Sequence, residues 1–248
     1  MGTQVKIVPD ALTLARTAAQ EFHRLSEAAV QERGRFSVAL SGGNTPRAVY
    51  SLLASDHQQL PWDRIHLFFG DERHVPPDHP DSNFRMASES LLSKVPIPAK
   101  NVHRIRTELE ADAAAKEYEQ ELREFFHVIN HDWPRFDLIF LGLGEDGHTA
   151  SLFPGSKALT EVSRTVVANW VEKFKTFRIT LTFPVLNHAS EVVFMVSGAG
   201  KAQILSEVLR PGARKYPAQS VQPENGHLLW LVDQGAGSML RLATPPIP

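Results

Sequence analysis

Asp146 and His148, separated by one glycine, close a short apolar run and form the pair in this chain best suited to moving a proton. An imidazole with its ordinary pKa of about 6.5 can take a proton from water near neutral pH, and a carboxylate beside it can hold the charge that develops. Other clusters supply groups that bind an anion. Ser41-Gly42-Gly43-Asn44-Thr45-Pro46 couples a glycine turn to a helix start. It offers backbone N–H groups, a positive dipole end and the Ser41 and Thr45 hydroxyls, a set that suits one phosphate group. Arg178, opening the run RITLTF, and Lys201, after Gly198-Ala199-Gly200, are candidate counter-charges. Plainer readings stand beside these: a capping aspartate and a surface histidine, a tight turn with Thr45 as cap, two solvated cations.

Several stronger-sounding motifs fail on inspection. Gly142, Gly144 and Gly147 satisfy the dinucleotide spacing GxGxxG, but Glu145 and Asp146 place two carboxylates where a pyrophosphate would approach. The Ser41 cluster lacks the Gly-Lys-Ser/Thr ending of a P-loop. Ala39-Leu40-Ser41-Gly42-Gly43 misses the GxSxG nucleophile elbow at its first position. Asp146, two residues from His148, is awkwardly placed to orient that ring from behind, which leaves Asp71 as the alternative orienter of a serine triad. His127 and His131 have i,i+4 spacing without the HExxH pattern and read as a solvated helix end. His74 and His79, with Asp71 and Glu72 nearby, flank a Pro-Pro-Asp loop and read as ordinary loop chemistry. No metal site is expected.

The elements that must position these groups repeat one grammar. Residues 4–8 read as a strand, and Asp10 caps a helix that runs through Ala29 and ends at Gly34. Residues 36–40 form an apolar run that breaks into the Ser41 turn and a helix through Leu53, with Pro46 in its first turn. Residues 64–69 lead into Gly70-Asp71-Glu72-Arg73, a proline-rich loop and a helix from about Asn83. Residues 136–141 lead into the Gly142–His148 segment, and residues 191–197 into Gly198–Lys201 and a helix through Leu209. Such alternation predicts an α/β fold with a mostly parallel sheet covered on both faces. Ligands in that architecture bind beyond the carboxyl ends of the strands, so the four clusters are expected to converge on one crevice.

The composition narrows the field. In 248 residues, 26 Lys and Arg against 28 Asp and Glu leave a net charge of −2, which offers no excess positive charge for a nucleic acid. With no cysteine, disulfides, thiolate zinc sites and cysteine nucleophiles are excluded together. No apolar run approaches about 18 residues and residues 1–10 carry no signal-peptide pattern, so a cytoplasmic protein without membrane attachment is expected. No repeat or linker divides residues 1–248, which predicts one domain.

Taken together, Ser41–Pro46, Gly70–Arg73 with Asp81-Ser82-Asn83, Gly142–Ser151, Arg178–Thr182 and Gly200-Lys201-Ala202 resemble the 6-phosphogluconolactonase family, in its order and across most of the chain. The resemblance implies a single-domain, three-layer Rossmann-like fold and hydrolysis of 6-phospho-D-glucono-1,5-lactone, a small sugar phosphate, without a cofactor. It implies that Ser41, Gly42, Gly43, Asn44, Thr45, Arg178 and Lys201 hold the phosphate, while Asp71, Arg73, Asp146 and His148 surround the sugar end. On that footing His148 is the expected general base, Asp146 its partner, and Arg73 with backbone N–H groups the oxyanion site. Asp71 either binds sugar hydroxyls or orients Arg73. The related glucosamine-6-phosphate deaminases carry a glutamate five positions after the histidine; Phe153 stands there in this chain, which fits a hydrolase better. A non-catalytic sugar-phosphate sensor of the same fold is the alternative, but no basic helix-turn-helix pattern precedes residue 36.

Overall fold

The computed structural model describes residues 2–57, 59–130, 132–212 and 214–240. The chain begins with β1 (Thr3–Val8), α1 (Ala11–Arg33), β2 (Phe36–Leu40), α2 (Asn44–Asp56) and β3 (Ile65–Phe69). As the sequence predicts, Asp10 caps α1 by accepting the Thr13 N–H at 2.7 Å, and Gly34 ends it in the left-handed region at φ 75°. Then come β4 (Asp71–Arg73), α3 (Asn83–Ala87), α4 (Ala111–Phe125), β5 (Leu138–Leu141), β6 (Val166–Val171) and β7 (Thr176–Leu181). The chain continues through α5 (Phe183–His188), β8 (Glu191–Val196), α6 (Ala202–Val208), β9 (His227–Asp233) and α7 (Gln234–Gly237).

Six strands form one sheet in the order β1-β9-β8-β5-β2-β3, and every pairing in it is parallel. Every residue of β2 and of β5 is buried, as continuous apolar runs in a sheet covered on both faces must be. From β1 to β2 to β3 the chain advances toward one edge, whereas β5, β8 and β9 step back toward the other. Right-handed crossovers therefore place α1 and α2, which pack on each other, on one face, and α5 and α6 on the opposite face. The direction reverses between β2 and β5, and a crevice opens beyond their carboxyl ends at that switch point.

A second sheet departs from expectation. Gly70-Asp71-Glu72-Arg73, read as the loop after a strand, is where the chain changes partners: β4 joins β7 and β6 in an antiparallel sheet of order β4-β7-β6. Gly70 is the joint, its N–H bonding Leu40 O at 2.8 Å in the first sheet while its carbonyl accepts the Leu181 N–H at 2.9 Å in the second. One extended stretch serves both sheets, so no break in pattern marks the change. The strand β9 was likewise not anticipated, because Asp233 ends the strand and at once caps α7, whose four residues are too few for a helical pattern.

Candidate active site

Beyond the carboxyl ends of β2, β5 and β8 lies a cavity of about 260 Å³ lined by Ser41, Gly42, Asp71, Arg73, Asn83, Gly142, Leu143, Gly144, His148, Ala150 and Lys201. Four separate glycine or polar clusters thus meet in one place, as the strand–turn–helix grammar requires. A larger groove of about 650 Å³ beside β1 is mainly apolar; among the described residues that line it, Arg210 is the one charged side chain and there is no acid–base pair.

The central pair comes from the segment after β5. Asp146 Oδ1 sits 2.5 Å from His148 Nδ1 and also accepts the His148 N–H at 3.2 Å. The two-residue spacing is therefore no obstacle: the turn at Gly147, at φ 76°, folds the carboxylate back onto the ring. With Nδ1–H donated to Asp146, Nε2 carries the lone pair, and it has no protein partner among the described residues. Partial burial pushes the Asp146 carboxyl up, but the hydrogen bonds it accepts from the His148 ring and backbone N–H, with the attraction of that ring, outweigh this and hold it below the ordinary carboxylate range. Glycine at 144 is required by close approach, since a Cβ there would lie 2.0 Å from His148 Nδ1. No helix follows this glycine-rich segment, so it offers no helix N-terminus to a pyrophosphate.

The second sheet supplies the charges. Side chains alternate along β4, so Asp71 and Arg73 share one face while Glu72 points to the other. Asp71, 7% exposed, accepts the Ser151 hydroxyl at 2.6 Å, and its backbone carbonyl accepts the Asn83 amide at 2.9 Å. It does not touch His148, which removes it as an orienter of that ring. Glu72 instead caps the start of α3, accepting the Asn83 and Phe84 N–H groups at 2.7 Å each and the Arg73 N–H at 2.8 Å; burial nevertheless pushes its carboxyl up. Arg73 lies directly opposite Arg178 on β7, a like-charge pairing that a sheet ordinarily disfavours. Burial, then the facing Arg73 guanidinium, press Arg178 below the usual arginine range. Among the described residues, no carboxylate lies within ion-pair distance of Arg73, Arg178 or Lys201; Arg73 Nη1 donates to the Asp81 carbonyl and the Arg178 guanidinium lies over the Phe174 ring at 5.4 Å, which leaves their charge available to an anion.

Not every predicted phosphate contact reaches the cavity. Ser41 and Gly42 line it, but Gly43, Asn44 and Thr45 lie further along the turn, where Gly43, at φ 110°, is the N-cap of α2 and Thr45 caps nothing. The Ser41 N–H is already donated to Tyr50 Oη at 3.0 Å, which corrects the expectation of a wholly free turn. The Gly42 and Gly43 N–H groups have no partner among the described residues. Ser41 Oγ is buried without a hydrogen bond and makes none to His148, so no nucleophile–base pair exists for a serine triad. An unpartnered buried hydroxyl at the cavity wall is instead a ready donor to a ligand. Arg178, across the ladder from Arg73, is not among the residues that line the cavity. Lys201 is held by the Gly198 turn, whose N–H bonds both carboxylate oxygens of Asp233 at 3.0 Å.

Asn83 and Ser151 were missed as contributors. Asn83 reaches the cavity because glycine occupies position 42, where a Cβ would meet Asn83 Oδ1 at 1.9 Å. Both residues lie within motif blocks quoted above, but their roles depend on pairings across β4 that spacing does not reveal. The loop histidines serve the fold: His74 Nε2 bonds Leu109 O at 2.8 Å, and His79 Nδ1 accepts the Asp81 N–H at 3.1 Å. Among the described residues no three metal-ligating side chains converge. His127 is exposed just after α4, and His131 lies outside the described residues.

With this geometry in hand, comparison with known proteins defines the class. The profile of the family described as glucosamine-6-phosphate isomerases/6-phosphogluconolactonase matches residues 9–230, and the chain belongs to that family. Within it, the similarity runs to lactonases. The 6-phosphogluconolactonase of Nostoc sp. is 42% identical over 243 residues, covering 97% of this chain and 99% of that one. That of Synechocystis sp. is 49% identical over 216 residues, covering 86% and 88%. Among solved structures, the 6-phosphogluconolactonase of Trypanosoma cruzi superposes with a TM-score of 0.89 at 28% identity, covering 97% of this chain and 98% of that one. A monomeric glucosamine-6-phosphate deaminase, at 19% identity and a TM-score of 0.79, shares the fold. No helix among the described residues is long and apolar enough to cross a membrane.

Proposed function

We propose that this chain, as one catalytic domain, is a 6-phosphogluconolactonase that hydrolyses 6-phospho-D-glucono-1,5-lactone to 6-phosphogluconate in the oxidative pentose phosphate pathway. The observation that carries the reading is the Asp146–His148 hydrogen bond at 2.5 Å, which leaves the Nε2 lone pair free at the wall of a cavity whose nearby cations, among the described residues, have no carboxylate partner. His148 Nε2 takes a proton from water as its oxygen adds to C1, and Asp146 stabilises the imidazolium. The C1 carbonyl becomes an oxyanion beside Arg73 and the free N–H group of Gly42. Collapse breaks the bond from C1 to the ring oxygen, which takes the proton back from His148. Lys201 and Arg178 balance the phosphate, whose charge at pH 7 is about −1.5 to −2, the Ser41 hydroxyl donates to it, and binding it there positions C1. Asp71, fixed by Ser151 and Asn83, presents its carboxylate to the sugar hydroxyls.

Phe153 separates this reading from deaminase chemistry, since a phenyl ring can neither give nor accept the proton that ring opening of an amino sugar needs. The test is an assay with freshly generated lactone, coupled to oxidation of the 6-phosphogluconate formed and compared with spontaneous opening. Acceleration at nanomolar enzyme is expected; none at micromolar enzyme refutes the proposal.

A further inference from the structure

The hydrogen bond to Asp146 fixes one nitrogen of His148 but not the tilt of the ring. Two other contacts do that. Phe153, 8% exposed, stacks on the imidazole with centroids 4.1 Å apart and planes at 26°, while Gly144 closes on the Nδ1 side. Phe153 in turn meets the edge of Phe174 at 5.9 Å and 76°. Phe174 belongs to the turn joining β6 and β7, where Lys175 takes the left-handed conformation at φ 50°, and its ring is 47% exposed. From the same turn, Lys173 Nζ lies 4.0 Å from Asp146 Oδ2, the oxygen that His148 does not use. A single hairpin tip thus reaches both members of the pair, through a phenyl ring to one and an ammonium to the other.

Burial does not account for Phe174, a large apolar ring left half in solvent. We infer that the β6–β7 hairpin tip positions the proton-transfer pair: Phe174 holds Phe153 flat on His148, and Lys173 holds the outer oxygen of Asp146. The inference rests on the reading of His148 as the base. Phe153 and Phe174 are positioning residues, acting through the imidazole and not on the substrate. Aromatic pairs contribute about 0.5–1.5 kcal/mol, equivalent to about 2- to 12-fold in rate if all of it keeps the ring in line.

The experiment compares Phe174→Ala, Phe174→Trp, Phe153→Leu and Lys173→Met with the unaltered enzyme, alongside His148→Ala. For Phe174→Ala, kcat is expected to fall about 2- to 10-fold with the affinity for 6-phosphogluconate unchanged within about twofold, and Phe174→Trp to restore it. The free enzyme gives an independent readout by NMR: the His148 ring protons, shifted upfield by the Phe153 face, should lose that shift in Phe153→Leu and broaden in Phe174→Ala. Lys173→Met should lower kcat by about twofold, and high salt, which screens the same contact, should bring the unaltered enzyme down to the level of the variant. An unchanged kcat together with sharp His148 signals at their wild-type positions in Phe174→Ala overturns the inference; so does a rise in KM at constant kcat, which would mean that the ring acts only by supporting Arg178, whose guanidinium lies over it at 5.4 Å. Failure of the underlying reading is distinguishable, because His148→Ala would then remain active.

Discussion

The two sheets build the active site in different ways. The six-stranded parallel sheet contributes chain: its strands end side by side at the switch point, and glycines at 42 and 144 let Asn83 and His148 press against the backbone. The three-stranded antiparallel sheet contributes charge, with Asp71 and Arg73 on one face of β4 and Arg178 directly across from Arg73. In the first region function and stability coincide, because the strands that end at the cavity are also the core. In the second they oppose each other: the facing guanidiniums repel, and the Asp81 carbonyl on Arg73 and the Phe174 ring under Arg178 offset this only in part until an anion arrives.

That contrast can be broken first at Gly144. A Cβ 2.0 Å from Nδ1 must displace the ring, so Gly144→Ala is expected to lower kcat by about 100-fold while the circular dichroism spectrum stays that of the folded enzyme. Retained activity would show that the backbone approach is incidental. Next come the cations. Lys201→Ala or Arg178→Ala should weaken 6-phosphogluconate binding by about 1.5–3 kcal/mol in calorimetry while leaving unphosphorylated gluconolactone almost unaffected. Arg178→Ala should not lower the Tm of the free enzyme, since it relieves like-charge repulsion, and a clear loss of Tm would make Arg178 structural. A smaller effect distinguishes Asp146. Its carboxyl is held below the ordinary range in the folded chain, so its contribution to stability is present above the unfolded carboxylate pKa of about 3.8 and lost as pH falls through the lower folded value. The denaturation midpoints of wild type and Asp146→Asn should therefore differ at pH 7 and draw together only as pH falls from about 3.8 through the lower folded value. Smallest of all, dialysis against EDTA should leave activity unchanged, because Glu72 and His74 are committed to Asn83, Phe84 and Leu109 and are not turned toward the Asp146–His148 pair.

All strands of the parallel sheet except β9 were legible in the sequence, four of them, β2, β3, β5 and β8, because each ends in a glycine or polar cluster, and ligand geometry follows from where parallel strands end. The Asp146-Gly147-His148 pair was legible for the same reason, although its hydrogen bond was not, since that depends on a left-handed glycine folding the segment on itself. The second sheet was hidden. Asp71-Glu72-Arg73 is three residues long and continuous with β3, and its pairing with Arg178 joins positions about a hundred residues apart. What Asn83, Ser151 and Phe174 do follows from that pairing and from the hairpin it supports, so local pattern could not assign them. Phe153 was noticed for the proton it cannot carry, whereas the structure gives it a second role as the surface on which His148 lies.

The central claim is that His148 activates the attacking water, and kcat for freshly generated lactone, measured against pH in wild type and His148→Ala, tests it most directly. The account predicts a loss of about 10²- to 10⁴-fold in the variant, unchanged affinity for 6-phosphogluconate, and a wild-type kcat that falls at acid pH as one group in the complex takes up a proton. A variant that keeps more than about half of the wild-type kcat, with the same pH dependence, would contradict it and assign the base to another residue.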